Sequence, residues 1–300
     1  MTEAAKDMLS GFSDALAEQE QLARPLVVKI SAQGHRVRSG VLWRNGVAVA
    51  SEQGFPDVDE AMTTLGDGNT ITARVAGRDP GTNVIALRFD STLAPAPLPA
   101  AEPRPGALVV AYGAAEDGVS VRLGVIHSVG PTWHSRAGGR IDRRILLDIS
   151  LARREEGGPV LDASGGLLGM STLGPRGRVL VIPSATIESV IEPLLAKGRI
   201  ERGWLGVALQ PVLVPEALRS EAGQSHGLII MGVSQDGPAA LANVQVGDVV
   251  LSVGGERIAS AAAVARRLGP EAVGQQIELR LIRAGALQTV RVTIRAQPAR

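Results

Sequence analysis

The sequence has no cysteine, few aromatic residues and no long hydrophobic run. Without cysteine, the 300-residue chain can form neither a disulfide nor a cysteine-ligated metal site, and it has no thiolate nucleophile. Its three Trp, one Tyr and three Phe are too few to predict a stacking surface for single-stranded nucleic acid. Because no apolar stretch reaches about 18 residues, we expect no membrane span.

Charge and histidine content exclude further classes of function. The chain has 31 Lys and Arg against 30 Asp and Glu, and a net charge of +1 gives no reason to expect binding to nucleic acid or to an anionic membrane. The four histidines, His35, His127, His134 and His226, are far apart and lack metal-ligand spacing. The sequence therefore predicts no metal site and no cofactor.

The first residues carry a helical pattern rather than a targeting signal. They lack the basic region and the apolar run of a signal peptide, which predicts a cytoplasmic chain, or a periplasmic one if the sequence has been trimmed. Within 3–22, Met8, Leu9, Phe12 and Leu16 recur at roughly helical spacing. Since both faces of this amphipathic helix carry acidic residues, we expect a packing or oligomerisation element rather than a membrane anchor.

Short apolar segments separated by turn residues follow the helix and predict a β-rich region. The predicted strands lie at 26–30, 40–43, 47–50, 70–75, 84–88, 107–112, 119–127, 145–149, 160–161, 167–172 and 179–182. Strands at such close intervals are typical of an antiparallel sandwich or a pair of barrels. The proline-rich stretch 94–105 fits an extended crossing between two barrels, and 184–195 is predicted as a helix that stops at Gly198.

The pattern restarts after Gly198. Strands are predicted at 204–209, 228–233, 248–253, 277–283 and 289–294, and helices at 239–242 and 260–268. Five strands and two helices in about 95 residues form a second compact domain. We place the boundary near 198–202.

Several motifs occur in the order and spacing of one known family. They are a Ser-Gly-Val strand at 39–41, Asp-Pro-Gly-Thr-Asn at 79–83, Gly-Gly-Pro at 157–159, Ile-Pro-Ser at 182–184 and Gly-Trp-Leu-Gly-Val at 203–207. Over roughly residues 25–297 the chain resembles the HtrA family of trypsin-fold serine proteases. The resemblance implies a mainly β fold, with a trypsin-like double six-stranded antiparallel β-barrel followed by an α+β PDZ domain. The implied parts are an N-terminal helix at 1–23, the protease-fold domain at 24–198 and the PDZ domain at 199–300.

The family's catalytic positions hold other residue types in this chain. By position, Glu156 replaces the serine, Asn83 the aspartate, Gln53 the histidine and Arg154 the oxyanion glycine. Triad chemistry needs a hydroxyl nucleophile, an imidazole base and an orienting carboxylate, and Gln53 cannot accept a proton at working pH. Losing triad members costs on the order of 10⁶-fold in rate. We therefore predict a pseudoprotease, an inactive homologue of a serine endopeptidase.

The PDZ part keeps the family pattern, and the resemblance implies a peptide site there. In the family, the loop at 204–207 captures a peptide's C-terminal carboxylate, the next strand takes the peptide as an extra strand, and a helix forms the opposite wall. The expected peptide-binding residues are Trp204, Leu205, Gly206, Val207, Ala208, Leu209, Ala261, Val264 and Ala265. The alternative is a PDZ fold that only packs on its neighbour.

The sequence thus predicts a non-catalytic adaptor, scaffold or regulator in protein quality control, which binds protein C-termini or unfolded segments. One alternative is an active serine-type endopeptidase or other hydrolase that uses residues outside the triad positions, such as another serine with His127 or His134. A second is a regulatory subunit that assembles with an active homologue. The chain is accordingly expected to form a homo-oligomer or a hetero-oligomer. The run 153–156, Arg-Arg-Glu-Glu, predicts either ion pairs that fill the cleft or a solvated loop.

Overall fold

The chain folds into two compact units. The computed structural model describes residues 2–91, 93, 95–96, 98–135 and 137–298. The first unit comprises Met1–Trp133 and Ile141–Arg199, and the second comprises His134–Arg140 and Ile200–Arg300. No helix in the described part of the chain combines the length and the apolar character needed to cross a membrane.

The first unit opens with the predicted amphipathic helix, α1 (Glu3–Ala23), which a 3₁₀ turn at Arg24–Leu26 connects to the first strand. Only its C-terminal turns are buried, through Gln19 and Ala23, whereas Met8, Leu9 and Phe12 are exposed. The helical spacing of the apolar residues is therefore confirmed, but most of the apolar face is not covered by this chain.

Six strands then form a closed antiparallel barrel. They are β1 (Val27–Ser31), β2 (Arg38–Arg44), β3 (Val47–Ser51), β4 (Glu60–Thr64), β5 (Thr70–Asp79) and β6 (Val84–Arg88). The strand order is β1-β2-β3-β6-β5-β4, and pairing of β1 with β4 closes the barrel. Ile30, Leu42, Ile85 and Leu87 are among the large side chains that fill its interior.

A second closed barrel completes the first unit. Its strands are β7 (Leu108–Ala115), β8 (Gly118–Gly130), β11 (Arg144–Leu147), β12 (Pro159–Asp162), β13 (Leu167–Leu173) and β14 (Val179–Pro183). The short strands β9 (Trp133–His134) and β10 (Arg140–Ile141) follow β8 in the chain and pair with each other in a separate sheet. The barrel order is β11-β14-β13-β12-β7-β8. Helix α2 (Ser184–Lys197) follows and ends at Gly198, as predicted. In the predicted crossing, the Pro99 carbonyl accepts a hydrogen bond from the Leu167 N–H, while Ala94 and Pro97 lie outside the described residues.

The second unit is built on an antiparallel sheet with short helices. Its elements are β15 (Gly203–Trp204), β16 (Val207–Leu213), α3 (Glu216–Ala222), β17 (His226–Val233), α4 (Pro238–Leu241), β18 (Val249–Val253), β19 (Glu256–Arg257), α5 (Ala261–Arg267), β20 (Gln276–Arg283), β21 (Ala286–Thr293) and β22 (Arg295–Ala296). The main sheet has the order β16-β17-β18-β20-β21, with β19 on β18, and β15 pairs with β22. Leu228, Ile230, Val253 and Leu279 lie at the centre of its core.

The predicted fold class is confirmed: two six-stranded antiparallel barrels precede an α+β domain. The sequence patterns missed α3 and five strands, β4, β9, β10, β19 and β22. In β4 only the small side chains of Ala61 and Thr63 are buried, so the strand has no run of large apolar residues by which its sequence could be recognised.

Candidate functional site

The three residues assigned to triad positions meet at one point of the first unit. Gln53 lies in the 3₁₀ turn Glu52–Gly54 directly after β3, and Asn83 lies in the turn between β5 and β6. Glu156 comes from the loop that leads into β12. Together with Ser51 and Thr172 they form a hydrogen-bonded group, called the polar cluster below.

Glu156 is the centre of the polar cluster. Its side chain is only 5% exposed, yet Oε1 accepts hydrogen bonds from Ser51 Oγ (2.9 Å), Thr172 Oγ1 (2.9 Å), the Leu173 N–H (3.0 Å) and Gln53 Nε2 (2.5 Å). A buried carboxylate is costly unless hydrogen bonds replace its lost water. Four donors provide that replacement here.

The two amide side chains hold the polar cluster together. Asn83 Oδ1 accepts from the Gln53 N–H at 2.7 Å, and its Nδ2 donates to Thr172 Oγ1 at 2.7 Å and to Ser51 Oγ at 3.0 Å. Gln53 Nε2 also donates to the Leu173 carbonyl at 2.7 Å. Asn83 has a φ of +60°, a left-handed conformation that Asn adopts more readily than most residues.

The chemistry open to the polar cluster follows from these groups. It contains two hydroxyls, two neutral amides and one carboxylate, and it contains no imidazole. Neither amide can take up a proton near neutral pH, so Glu156 is the one member of the cluster that can accept a proton from a hydroxyl. Ser51 and Thr172 both lie within hydrogen-bond distance of it.

The run Arg153–Arg154–Glu155–Glu156 forms neither of the arrangements that its sequence predicts. Glu155 is buried and pairs with Arg122, whose Nη2 lies 2.8 Å from Oε1. Burial alone would raise the pKa of Glu155, but hydrogen bonds from Arg122 and the Ala152 N–H lower it below its ordinary value. The Arg154 carbonyl accepts from Ser39 Oγ at 2.5 Å, while the Arg154 side chain is exposed.

In the second unit, the predicted peptide site lies at a sheet edge. Strand β16 pairs with β17 on one side and has no strand on its other side among the described residues. Just before β16, the carbonyls of Leu205 and Gly206 accept hydrogen bonds from Ala239 and Ser234. The N–H groups of Leu205 and Gly206, in contrast, donate no hydrogen bond within the described ranges.

The remaining predicted peptide-binding residues occupy different environments. Leu205 and Val264 belong to the buried core, Val207 and Leu209 pack against it half-buried, and Ala208 is exposed. Trp204 pairs with Arg295 in the small sheet of β15 and β22.

On helix α5, Ser260 caps the N-terminus by accepting a hydrogen bond from Ala263, and Ala261 is exposed. Ala265, in the C-terminal half of α5, is half-buried. A methyl group on Gly138 would lie 3.5 Å from the Cβ of Ala265, so Gly138, in the segment 134–140, contacts this half of the helix.

Metal binding has no support in the described residues, where no three His, Cys, Asp or Glu side chains are grouped to hold an ion.

The comparisons with known proteins cover both units. The profile of the trypsin-like peptidase domain matches residues 38–170, and that of the PDZ domain matches 203–294. The probable periplasmic serine endoprotease DegP-like of Brucella suis biovar 1 is 30% identical over 269 residues, which are 86% of this chain and 52% of the Brucella protein. The equivalent protein of Halomonas elongata is 28% identical over 282 residues, 88% of this chain and 58% of its own length.

Solved structures agree over nearly the whole chain. The serine endoprotease from Yersinia pestis superposes with a TM-score of 0.74 at 25% identity, covering 94% of this chain and 98% of that one. The HtrA-type protease AlgW with a decapeptide superposes with a TM-score of 0.75 at 22% identity, and the match covers 95% of this chain and 99% of that one. This chain is an HtrA-family homologue. It has the family's trypsin-like and PDZ domains, and it spans about half the length of the DegP-like relatives it matches.

The prediction of an inactive homologue is contradicted by these findings. The HtrA relatives are named serine endoproteases, and the superposed structures are named proteases. The prediction followed from the residue types at Gln53, Asn83, Glu156 and Arg154. It treated those four positions as the whole chemistry of the site and did not consider Ser51 and Thr172.

Ser51 and Thr172 could have been found from the sequence in part. Ser51 is a lone hydroxyl at the end of the apolar run 47–50, and a polar residue at the end of a buried strand is a common place for a site residue. Thr172 lies on β13, the strand that follows the Gly-Gly-Pro turn. Nothing in the sequence indicates that the ends of β3 and β13 meet, which is why this pair was missed.

Proposed function

We propose that this chain binds the C-terminal segments of other proteins at the free edge of β16. The observation that carries the proposal is the one-sided pairing of β16, whose outer edge can accept an extended peptide as a further strand. For the domains we propose the limits predicted from the sequence, with the PDZ domain at 199–300 and the trypsin-like domain at 24–198.

Two further observations support a C-terminal peptide as the ligand. The unused N–H groups of Leu205 and Gly206 are adjacent in the loop before β16, and paired backbone donors are the type of group that captures a terminal carboxylate. The HtrA-type protease AlgW, which shares this fold, has been solved with a decapeptide and with a tripeptide.

The test is fluorescence polarisation of a labelled library of peptides with apolar C-termini, measured on the full chain. Each peptide is compared with its C-terminal amide, which removes the carboxylate and leaves the strand-forming backbone. We expect binding of the free acid and a loss of at least about tenfold in affinity for the amide, since a charge-assisted hydrogen bond disappears. If no free acid binds, or if acid and amide bind equally, the proposal fails.

A matched pair of glycine variants locates the site. Gly206 has a φ of +75°, and a methyl group there would lie 3.2 Å from the Trp204 ring, so Gly206→Ala should distort the loop before β16. Gly285 has a φ of +80° with open space around it, so Gly285→Ala carries a similar backbone cost away from the site. We expect Gly206→Ala to lose peptide affinity and Gly285→Ala to retain it. Equal affinity of the two variants would place the peptide elsewhere.

A second candidate function is hydrolysis of protein substrates, which the names of the relatives favour. The observation for it is the hydrogen bond between Ser51 Oγ and Glu156 Oε1. In this scheme Ser51 Oγ attacks the scissile carbonyl carbon, Glu156 takes the hydroxyl proton, and that proton passes to the leaving amine; water then releases the acyl group. Both side chains are 5% exposed, so the substrate reaches them through a local opening of the surrounding loops.

Casein digestion tests this second candidate. The purified chain is compared with Ser51→Ala and Glu156→Gln, and Ser164→Ala is the matched serine control because Ser164 lies in the turn between β12 and β13. We expect cleavage by the wild type and by Ser164→Ala, and a loss of about a hundredfold or more in the other two. Lack of cleavage by the wild type, or full activity of Ser51→Ala, overturns it.

Two further proposals concern assembly and location. We propose a periplasmic location, which the names of the DegP-like relatives support. The exposed Met8, Leu9 and Phe12 of α1 support self-association, or association with an active homologue. Cell fractionation and sedimentation analysis of the full chain test these two statements separately.

A further inference from the structure

A cavity of about 500 Å³ in the first unit is lined mainly by cations. Its charged and titratable lining residues are Lys29, His35, Arg36, Arg38, Arg153 and Arg154, and Glu116 is the one acidic residue among those that line it. They come from β1, the loop before β2, the first residue of β2, the β7–β8 turn and the loop before Glu155. We call this space the basic cavity.

The positive charge of the basic cavity is not neutralised within the described part of the chain. Lys29 Nζ donates to the Glu116 carbonyl at 2.9 Å, and Arg38 Nη1 donates to the Arg153 carbonyl at 2.8 Å. None of the five Lys and Arg side chains forms an ion pair with a described carboxylate.

Other arginines of the first unit behave differently. Arg44, Arg74 and Arg122 each pair with a glutamate at 2.7 to 3.0 Å. Single arginines without an ion pair, such as Arg88, also occur in this unit among the described residues, so the basic cavity is distinguished by five such cations grouped around one concave surface. Like charges held around a concave surface concentrate the electrostatic potential and attract an anion.

The basic cavity adjoins the polar cluster. A methyl group on Gly54 would lie 3.4 Å from both Arg38 Cζ and Glu156 Oε2, so these two side chains flank the same turn. Arg153 and Arg154 directly precede Glu155 and Glu156 in the chain. An anion held by the arginines would thus lie beside the loop that carries Glu156.

We propose that the basic cavity binds an acidic segment of another protein, in which several Asp or Glu residues follow one another. The planar guanidinium groups of Arg36, Arg153 and Arg154 match carboxylates in two-point hydrogen bonding. Nucleic acid is the weaker fit, because no Phe, Tyr or Trp side chain lines the cavity to stack on bases. This inference is independent of peptide binding at β16.

The probe is a fluorescein-labelled deca-glutamate peptide with an amidated C-terminus, so that no free carboxylate is available to the loop before β16. Binding to the full chain is followed by fluorescence polarisation at about 0.05 M and about 0.5 M salt, because screening weakens exposed ion pairs. Deca-glutamine amide of the same length is the uncharged control. We expect binding of deca-glutamate at low salt, weakening at high salt, and no binding of deca-glutamine.

Charge-reversal variants assign the binding to the basic cavity. Arg36 and Arg153 are exposed, so Arg36→Glu and Arg153→Glu should leave the fold intact, and each should weaken binding about tenfold or more. Arg88 is an exposed arginine of β6 that does not line the basic cavity, and Arg88→Glu makes the same change in net charge. Arg88→Glu should bind the probe with an affinity within about twofold of that of the wild type.

Three results would overturn the proposal. One is equal weakening by Arg88→Glu, which would show that net charge alone controls binding. Another is undiminished binding by both cavity variants. The third is a labelled ten-nucleotide oligothymidine that binds as tightly as deca-glutamate, which would indicate a general polyanion surface.

Discussion

The hydroxyl of Tyr112 donates a hydrogen bond of 3.0 Å to Gln19 Oε1 and so joins α1 to the second barrel. Gln19 completes the contact by donating from Nε2 to the Asp162 carbonyl at 2.7 Å. Burial, with a smaller contribution from Glu20, raises the pKa of Tyr112 to about 12, so this hydroxyl keeps its proton over the physiological pH range. The buried side chains of Tyr112 and Gln19 therefore attach the C-terminal part of α1 through hydrogen bonds, in addition to the packing of Ala23.

Removing the tyrosine hydroxyl should loosen α1. Tyr112→Phe loses one buried hydrogen bond and leaves the Gln19 oxygen without its donor, so we expect the free energy of unfolding to fall by about 1 kcal/mol. Limited proteolysis should cut α1 faster in this variant. Urea denaturation and timed digestion measure the two effects. An exposed substitution on the same helix, Ser10→Ala, is the control and should leave both unchanged. Unaltered stability and digestion in Tyr112→Phe would mean that other contacts hold the helix.

The polar cluster should depend on the shape of Glu156 as well as on its charge. Glu156→Ala removes the common acceptor of four hydrogen bonds, and we expect a loss of about 3 kcal/mol in the free energy of unfolding. Glu156→Gln keeps an acceptor oxygen in place, so we expect the free energy of unfolding to fall by only about 1 kcal/mol. Urea denaturation of the two variants gives the comparison. Equal losses would show that charge, rather than hydrogen bonding, stabilises the site.

Glu155 should make the fold sensitive to acid. Its pKa is lower in the folded protein than the ordinary value of about 4.3, because the hydrogen bonds from Arg122 and Ala152 outweigh the cost of burial. The stabilisation is present in full above that ordinary value. It is lost as the pH falls through the lower, folded pKa, because the unfolded chain then takes up the proton first.

The measurement for Glu155 is urea denaturation at a series of pH values between about 7 and 3. Glu155→Gln should flatten the fall in stability below about pH 4, since it removes this proton-linked group. Glu116→Gln is the matched control because Glu116 is exposed and its carboxylate makes no hydrogen bond or ion pair among the described residues. A profile for Glu155→Gln that keeps the slope of the wild type would contradict the assignment.

Gly158 should tolerate no side chain. A methyl group there would overlap the Tyr112 carbonyl oxygen, which belongs to the backbone of β7 and cannot move aside. We expect Gly158→Ala to cost about 4 kcal/mol or to prevent folding. Gly11→Ala is the control: Gly11 is exposed within α1 with open space around it, and the change should stabilise the chain by about 0.5–1 kcal/mol. Circular dichroism during thermal unfolding distinguishes the two outcomes, and a normal melting curve for Gly158→Ala would refute the first.

The sequence predicted the fold better than it predicted the chemistry. Strands such as β3 and β6 could be recognised because every residue in Val47–Ser51, and four of the five in Val84–Arg88, are buried, which requires continuous apolar runs. Closure into two barrels came from the family resemblance, since strand order depends on pairings between residues far apart in the chain. The strand β4 escaped because half-buried strands with Glu and Thr have no distinctive pattern.

Assignment by position predicted that Gln53, Asn83 and Glu156 lie together, and in the structure Gln53 is hydrogen-bonded to both of the others. The partners of these residues could not be read from the sequence. Glu155 is adjacent to two arginines, yet it pairs with Arg122, 33 positions away. A charged run shows that ion pairs are possible, but only the packing of β8 against the loop decides which of them form.

The order of strands in the first barrel also bears on how the chain is made. All six of its strands lie within residues 27–88, and its closing pair joins β1 to β4. This barrel can therefore close while the ribosome is still adding later residues, because domains generally fold as units during synthesis. The second barrel pairs β7 with β12, so Leu108–Ala115 must wait for Pro159–Asp162 to emerge before its ladder forms. Until then β7 is paired with β8 on one side only, and its other edge can pair wrongly with another chain.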